Sequence, residues 1–257
     1  MTRTPKHAAF DVVPLDPQLV LGAYSVGVFP MADARDAASI YWVEPKERAI
    51  LPLDAFHLSK SLRKTLVANR FRLTADQAFP DIIQLCAEAA EDRPDTWINR
   101  QIERVYLELH AMGFAHSIEV WEGDRLAGGL YGLSLGRAFF GESMVSRARD
   151  ASKVAIAALV ARLRVGGFTL LDCQFMTDHL ASLGAIEIPR SAYLGSLSVA
   201  IAGAVGTGAD AAGAAAGVGD FFALDRGVAA PSAPLAPLTE FGPPSGKVIA
   251  QLLVHTS

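Results

Sequence analysis

Five short segments between residues 117 and 175 restrict the folds that this chain can adopt. Residues 117–121 alternate polar and apolar side chains, and residues 126–133 and 138–145 follow after glycine-containing turns, which predicts an antiparallel meander of three strands. Residues 151–164 then predict a helix that two glycines end, and residues 168–175 predict a strand parallel to the third one.

The predicted order β-β-β-α-β resembles the core of the acyl-CoA N-acyltransferase (GNAT) fold. The expected fold class is therefore α+β, with a small N-terminal domain followed by a GNAT-like mixed-sheet domain with packed helices. We place the first domain at residues 1–60, the second at 61–194, and an Ala/Gly/Pro-rich C-terminal extension at 195–257. Two apolar islands, Phe221-Phe222 and residues 248–254, predict that this extension docks in part on the main body.

Two acidic residues lie inside segments that otherwise have the pattern of buried strands. Glu142 lies in the apolar run 139–144, and Asp172 follows thirty residues later beside Cys173. Because an unpaired buried charge is unfavourable and the two strands are expected side by side, both acids are predicted to face one cleft. The structural alternative is an ion pair of these acids with Arg147 or Arg149 inside the sheet.

The whole-chain composition narrows the class of protein. The 257 residues are 51% hydrophobic, which is enough for a substantial core, and the net charge of −4 argues weakly against broad nucleic-acid binding. Cys86 and Cys173 form neither a CxxC pair nor a metal-ligand spacing, so no disulfide or metal is predicted and a reducing cytoplasm is expected. The chain has no signal-peptide pattern and no run of about 18 strongly apolar residues, so no membrane contact is expected.

The junction between the third predicted strand and the helix, residues 145–153, contains no glycine. Acetyltransferases of the GNAT type carry a glycine-rich loop at this point, because backbone N–H groups there must approach a pyrophosphate. The bulky junction holds Arg147, Arg149 and Lys153 instead. It therefore argues against coenzyme A and favours an acyl donor that is activated in another way.

Six runs in this part of the chain closely resemble the leucyl/phenylalanyl-tRNA protein transferase family. They are Ala-His-Ser-Ile-Glu-Val-Trp at 115–121, Gly-Gly-Leu-Tyr-Gly at 128–132, Phe-Gly-Glu-Ser-Met at 140–144, Ala-Ser-Lys at 151–153, Asp-Cys-Gln at 172–174 and Asp-His-Leu-Ala-Ser-Leu-Gly-Ala at 178–185. Supporting matches lie upstream in the family's order, at Tyr24, Phe29-Pro30, Trp42, 48–51 and 96–98. The resemblance covers about residues 20 to 194, and the number of ordered matches makes it specific.

The resemblance implies transfer of leucine or phenylalanine, with methionine as a further candidate, from aminoacyl-tRNA to the α-amine of a protein that begins with Arg or Lys. The product carries an N-terminal degradation signal. The donor is an activated ester and the product is an amide, so no cofactor, metal, ATP or coenzyme A is required. The expected partners are Leu-tRNA, Phe-tRNA and the acceptor protein, in the cytoplasm and without an oligomer.

For the acceptor, the resemblance implies that Asp172 and Gln174 orient the amine and help to shuttle its proton, while Glu142 recognises the cationic end. The α-amine has a reference pKa of about 7.7–8.0, so a neutral fraction exists near neutral pH and a strong base is unnecessary. Direct general-base catalysis by a desolvated Asp172 stays open as an alternative. Cys173, between them, is expected to face the other side of the sheet and to pack as a small apolar residue.

For the donor, the resemblance stacks the terminal adenine of tRNA on Trp42. It lines the pocket for the Leu or Phe side chain with Trp97, Phe139 and Met144, although on composition alone these are more often core residues. Flat aromatic side chains and a flexible thioether can accept either shape and reject β-branched residues by clash.

The densest positive cluster lies on the predicted helix 58–66, where Lys60, Arg63 and Lys64 follow helical spacing. A single run of this kind is more often a solvated helix face than a binding site. The resemblance reverses that interpretation and makes these three residues the expected contacts to tRNA phosphates.

Two functions of other classes stay open from the sequence. One is a coenzyme A-dependent N-acyltransferase of the same fold, and the other is a non-catalytic module that binds tRNA ends or basic peptide N-termini. The chain also departs from the family, because Met31 stands where many members have Trp and the tail after Leu194 is longer than usual. These departures bear on donor selectivity and on the N-terminal domain, and the central chemistry is unaffected.

Overall fold

The computed structural model describes residues 14–88, 96–202, 218–227 and 242–254, and it has an α+β fold. The helices in these ranges are α1 (Pro17–Ser25), α2 (Lys60–Val67), α3 (Phe79–Ala87), α4 (Arg100–Ala111), α5 (Ala151–Val165), α6 (Asp178–Ala181), α7 (Arg190–Ile201) and α8 (Gly246–Leu253). The strands are β1 (Phe29–Met31), β2 (Tyr41–Val43), β3 (Glu47–Ile50), β4 (Arg72–Ala75), β5 (Ala115–Glu122), β6 (Arg125–Leu135), β7 (Ala138–Ser146), β8 (Leu170–Gln174) and β9 (Ile186–Pro189). None of the helices within the described ranges is long and apolar enough to cross a membrane.

A seven-stranded mixed sheet forms the centre of the fold, in the order β4-β5-β6-β7-β8-β3-β9. The meander predicted from alternation is confirmed, because β5, β6 and β7 pair antiparallel in sequence order. The predicted parallel contact of β7 with β8 is also confirmed, and α5 makes the crossover between them. Strands β1 and β2 form a separate antiparallel ribbon.

The parallel contact of β7 with β8 is short. Only three residue pairs join the two strands, from Ala138 opposite Leu170 to Phe140 opposite Asp172. Beyond Phe140, β7 continues to Ser146 along β6, whereas β8 continues to Gln174 along β3. The two strands therefore diverge, and a gap opens in the middle of the sheet.

Helices cover both faces of the sheet. On one face, which we call the α5 face, helices α2, α5 and α8 pack on side chains such as Phe139 and Leu171. On the other, the α4 face, helices α1, α3, α4 and α7 pack on side chains such as Phe140 and Leu170. The two faces receive alternate residues of β7 and β8, as the period-2 geometry of strands requires.

Short polar side chains mark where several helices begin. Ser59 accepts a hydrogen bond from the Leu62 amide at the start of α2, and Asn99 accepts from the amides of Gln101 and Ile102 at the start of α4. Asp150 precedes α5 but adopts φ +69°, and its side chain makes no capping hydrogen bond.

Strand β3 lies within residues 1–60 but pairs with strands beyond the domain boundary predicted at residue 60. It lies in the large sheet between β8 and β9, although residues 1–60 were expected to form a separate domain. In the extension, the ring centroid of Phe221 lies 5.7 Å from that of Phe139, and the two rings are stacked. Helix α8 buries Ile249 and Leu253 on the α5 face, so both predicted apolar islands dock on the main body. The rest of the predicted 195–257 extension includes residues 203–217 and 228–241, which lie outside the described residues.

Close packing at Gly132 yields a stability prediction. A Cβ at Gly132 in β6 would overlap the carbonyl oxygen of Phe140 and the ring of Phe139, so Gly132→Ala is expected to lower the free energy of unfolding by about 1–3 kcal/mol. Gly195 in α7 has no atom within 4 Å of its Cβ position, and Gly195→Ala is expected to raise it by about 0.5–1 kcal/mol. Urea unfolding of both variants checks this, and equal effects would contradict it.

Candidate active site

A cavity of about 650 Å³ occupies the gap where β7 and β8 diverge. Its apolar part lies toward the α5 face, and the residues there are Leu51, Met144, Ile156, Leu159, Leu171 and Cys173. Its other part reaches the α4 face, where Met31, Trp97, Glu142 and Gln174 line it. The cavity thus joins an apolar chamber to a carboxylate and an amide through the sheet.

Glu142 is the sole acid among the described residues that line this cavity. Its Oε1 accepts a hydrogen bond from Tyr24 Oη at 2.7 Å, and its Oε2 accepts from Gln174 Nε2 at 2.9 Å. Tyr24 Oη lies 2.6 Å from Tyr106 Oη, and a hydrogen bond from Tyr106 also acts on the Glu142 carboxyl. The carboxylate is therefore held by a chain of hydroxyl groups that begins in α4.

Burial perturbs the titration of this group. The pKa of Glu142 is raised from 4.5 to about 7, chiefly because burial disfavours the charged form and partly because Asp172 is negative. The hydrogen bonds from Tyr24 and Gln174 act in the opposite direction and lower the pKa. A glutamate that lines a cavity and has a pKa near 7 is a recurrent feature of catalytic sites.

Asp172 is held differently, in a fully buried ion pair with Arg48 of β3. Arg48 donates from Nε to Oδ1 at 2.9 Å and from Nη2 to Oδ2 at 2.6 Å, and Tyr193 of α7 donates to Oδ2 at 2.8 Å. Arg48 also donates from Nη1 to the Gly27 carbonyl oxygen, and its guanidinium lies 4.7 Å from the Phe29 ring centroid. Every strong polar atom of this pair is satisfied inside the protein, as a buried ion pair requires.

Asp172 also determines the conformation of Gln174. The backbone N–H of Gln174 donates to Asp172 Oδ1 at 2.8 Å. Gln174 adopts φ +64°, a left-handed conformation that is uncommon outside glycine. Such a conformation costs of order 1–3 kcal/mol and persists where surrounding contacts stabilise it. The turn brings the Gln174 side chain to the cavity, where its side-chain amide donates a hydrogen bond to Glu142.

The predicted acceptor residues therefore lie together but do not have equal access to the cavity. Glu142 and Gln174 line it, whereas Asp172 does not, because its side chain projects into the core of the α4 face toward Arg48 and Tyr193. A direct contact of Asp172 with the amine stays a prediction, and in this structure the residue reaches the cavity through Gln174.

The alternative pairing of the acids with Arg147 or Arg149 is wrong. Arg147 pairs with Glu88 and Arg149 lies 3.9 Å from Asp150, both at the surface, since the junction that carries them is outside the sheet core. Asp172 has Arg48 as its cation instead.

Cys173 packs on the α5 face, opposite Asp172, and also lines the cavity.

The predicted donor residues are more dispersed. Trp97 and Met144 line the cavity, while Phe139 is fully buried behind it against Phe168 and Phe221. Trp42 lies on β2 with 38% of its surface exposed and is not part of the lining. The basic residues Lys60, Arg63 and Lys64 are exposed on α2, which contributes no residue to the cavity.

Several residues that build the site were not singled out from the sequence. Arg48 and Tyr193 hold Asp172, and Tyr106 supports Tyr24, yet each lies far along the chain from its partner. A signal for Arg48 existed, because it begins the apolar run Ala49-Ile50-Leu51 and a cation there needs an anion. Tyr106 and Tyr193 gave no signal beyond helical periodicity.

An apolar chamber that opens onto a carboxylate and an amide can hold an apolar group beside a cationic one, as a transferase of an apolar acyl group to an amine requires. Family models agree with this class. Residues 50–198 match the model of the leucyl/phenylalanyl-tRNA protein transferase, and residues 14–46 match the model of its N-terminal domain.

Individual relatives with the same name match this chain along most of their length. A leucyl/phenylalanyl-tRNA–protein transferase of Rhizorhabdus wittichii is 58% identical over 95% of this chain and 99% of its own. The protein of that name from Novosphingobium aromaticivorans is 48% identical over the whole of both chains, and the one from Zymomonas mobilis is 61% identical over 73% of this chain and 70% of its own. The chain belongs to the leucyl/phenylalanyl-tRNA protein transferase family.

The buried pair of Arg48 and Asp172 predicts a large loss of stability when one partner is removed. Arg48→Met leaves an unpaired buried carboxylate and is expected to lower the free energy of unfolding by about 3–5 kcal/mol. Arg104→Met, which removes an exposed i,i+4 pair with Glu108, is the control and is expected to cost less than about 0.5 kcal/mol. Urea unfolding at pH 7 checks both, and a loss below about 1 kcal/mol for Arg48→Met would contradict the prediction.

The raised pKa of Glu142 predicts the pH dependence of stability. Between pH 4.5 and about 7 the native carboxyl holds a proton that the unfolded chain has released, so this group lowers the free energy of unfolding as pH rises through that window. Glu142→Gln removes the titration, and its stability relative to wild type is expected to increase from pH 5 to pH 8. Asp124→Asn, at an exposed turn, is the control. Urea unfolding of both variants and of the wild type at pH 5 and pH 8 measures the change. The same pH dependence in the two variants would contradict the prediction.

Proposed function

We propose that the protein transfers leucine or phenylalanine, and methionine as a further donor residue, from aminoacyl-tRNA to the N-terminal α-amine of proteins that begin with Arg or Lys. The observation that carries the proposal is the single cavity that joins an apolar chamber to the Glu142 carboxylate and the Gln174 amide. The product would carry an N-terminal degradation signal.

On the donor side, the apolar chamber beside Met144, together with Trp97 in the part of the cavity on the α4 face, takes the side chain of the transferred residue. The unbranched thioether of Met144 and the flat ring of Trp97 can accommodate Leu or Phe. The surrounding Leu51, Ile156 and Leu171 disfavour polar side chains. Phe139, fully buried on the same face of the sheet, supports this wall. Trp42, exposed on β2, is the proposed stacking partner of the terminal adenine.

The tRNA phosphates would be contacted by Lys60, Arg63 and Lys64, which are exposed together on α2. Because this is a small patch, it would bind the backbone and read little sequence.

On the acceptor side, Glu142 and Gln174 receive the cationic amine, and Asp172 acts on it through Gln174. A charged donor such as an ammonium or a guanidinium offsets the cost of burying the Glu142 carboxylate. The amine then attacks the ester carbonyl, the C–N bond forms, and the bond to the ribose oxygen breaks. The ester is already activated, so the residues need only to orient the reactants and to move protons.

The start of α5 supports tRNA over coenzyme A as the donor. The Ala151 amide donates to the Ala148 carbonyl oxygen at 3.1 Å, and the Ser152 amide donates to Ser146 Oγ at 3.3 Å. Two of the first amides of the helix are thus occupied by the junction itself, whereas a pyrophosphate site needs them open.

The finer structural expectations are part of the same proposal. We assign the sheet to a GNAT-like fold, because its parallel strands diverge at the cavity. We place a small N-terminal domain ahead of the main one, and we expect a cytoplasmic protein that acts without an oligomer.

A transfer assay tests the proposal. The protein is incubated with radiolabelled Leu-tRNA and peptides that differ only in a first residue of Arg, Lys or Ala, and in parallel with labelled acetyl coenzyme A. Label is expected to pass from tRNA to the Arg and Lys peptides alone. Transfer from acetyl coenzyme A would contradict the proposal in favour of an N-acyltransferase, and binding of Leu-tRNA without transfer would contradict it in favour of a binding module.

A further inference from the structure

The two carboxylates near the cavity differ in how many further hydrogen bonds they can accept. Asp172 accepts from Arg48 Nε and Nη2, from Tyr193 Oη and from the Gln174 amide, so each of its oxygens already has two donors. It is also fully buried and lines no part of the cavity. A carboxylate has about four acceptor positions, and those of Asp172 are filled.

Glu142 keeps free positions. Among the described residues, its hydrogen-bond donors are Tyr24, Gln174 and, more weakly, Tyr106, which is fewer than the four positions of a carboxylate, and its side chain lines the cavity. An entering ammonium group can therefore contact Glu142 without displacing a protein donor. Gln174 Nε2 is committed to Glu142, which leaves the Gln174 amide oxygen as a neighbouring acceptor for the same ammonium.

We propose that Glu142 is the group that takes the proton from the acceptor α-ammonium, and that Asp172, with Arg48 and Tyr193, is a positioning residue that acts through Gln174. This inference rests on the proposed function. It assigns the proton transfer to Glu142, one of the three predicted catalytic residues, whereas the sequence associated proton transfer with Asp172 and Gln174.

The proton balance of the step is complete. The Glu142 carboxylate takes one proton from the ammonium, and the neutral amine attacks the carbonyl carbon of the aminoacyl ester. The new C–N bond forms as the bond to the ribose oxygen breaks, and a second proton from nitrogen goes to that oxygen. Glu142 then releases its proton to water, so one ester and one ammonium yield one amide, one ribose hydroxyl and one proton.

The surroundings of Glu142 suit this role. Its pKa of about 7 lies within about one unit of the α-amine's 7.7–8.0, whereas an unperturbed glutamate would lie more than three units below it. The titratable groups around it come from α1, α4, β8 and α7, and they are Tyr24, Tyr106, Asp172 and Tyr193. The pKa of each tyrosine is raised by burial, so all three remain protonated, and the charge of Asp172 is offset by Arg48.

The test is the pH profile of kcat/KM from pH 6 to 9 with Leu-tRNA and a peptide that begins with Arg. Spontaneous ester hydrolysis is measured without peptide and subtracted. Glu142→Gln is expected to lower kcat/KM about 10²- to 10⁴-fold at pH 7, and the deficit is expected to shrink about tenfold per unit above that, because the free amine no longer needs a base. Tyr193→Phe is expected to lower it by a factor that does not change with pH, and Asp124→Asn to leave it unchanged. Asp172→Asn is expected to lower it at every pH and to move the acidic limb to lower pH, because the charge of Asp172 raises the pKa of Glu142.

A second variant keeps the carboxylate in place. Tyr24→Phe removes a hydrogen bond that lowers the pKa of Glu142, so the acidic limb of the wild-type profile is expected to move to higher pH. A Glu142→Gln deficit that is constant from pH 7 to 9, or an acidic limb unmoved by Tyr24→Phe, would overturn this inference while wild-type transfer leaves the proposed function standing. No transfer by the wild-type protein would overturn both.

Discussion

The buried ion pair of Arg48 and Asp172 is the interaction on which the geometry of the site depends. Arg48 joins β3 to β8 and reaches the loop at Gly27, while Tyr193 attaches α7 to the same carboxylate. Gly27 adopts φ +79°, and a Cβ there would lie 2.9 Å from the Tyr193 ring, so the loop can approach this closely only with glycine. Loop, strand and helix are therefore fixed around one charge pair that no solvent reaches.

The cavity arises because the sheet cannot keep β7 and β8 paired. Strand β7 shifts register against β6 between Tyr131 and Gly132, and β8 shifts against β3 between Ala49 and Ile50. A bulge of this kind bends its strand and increases the local twist, and bulges are common beside active sites. The two strands turn away from each other immediately after Phe140 and Asp172, and side chains from both faces of the sheet meet in the gap.

The sequence predicted the parts of this fold whose partners are close in the chain. Alternation and helical spacing were sufficient for the meander, α5 and β8, because each of these elements contacts its neighbour in sequence. Strand β3 escaped prediction as a strand of the large sheet, because it has four residues and its key contact spans 124 positions. The two acids in apolar strands drew attention to Glu142 and Asp172, which the structure brings close together. Alternation could not show which of them lines the cavity, since the bulge and the positive φ of Gln174 interrupt it.

The two acids illustrate two ways of keeping a carboxylate in a core. Asp172 has a permanent cation, which makes it a stable element of the structure and removes it from contact with a ligand. Glu142 has only neutral hydrogen-bond donors, which do not offset the effect of burial on its charged form, so its pKa rises. In the function proposed above, the cation that pairs with Glu142 is the acceptor ammonium, and the unfavourable desolvation of the carboxylate favours both binding of that ammonium and transfer of its proton. A permanent partner at Glu142 would stabilise the fold and remove this capacity, which explains why arginine accompanies one acid and tyrosine the other.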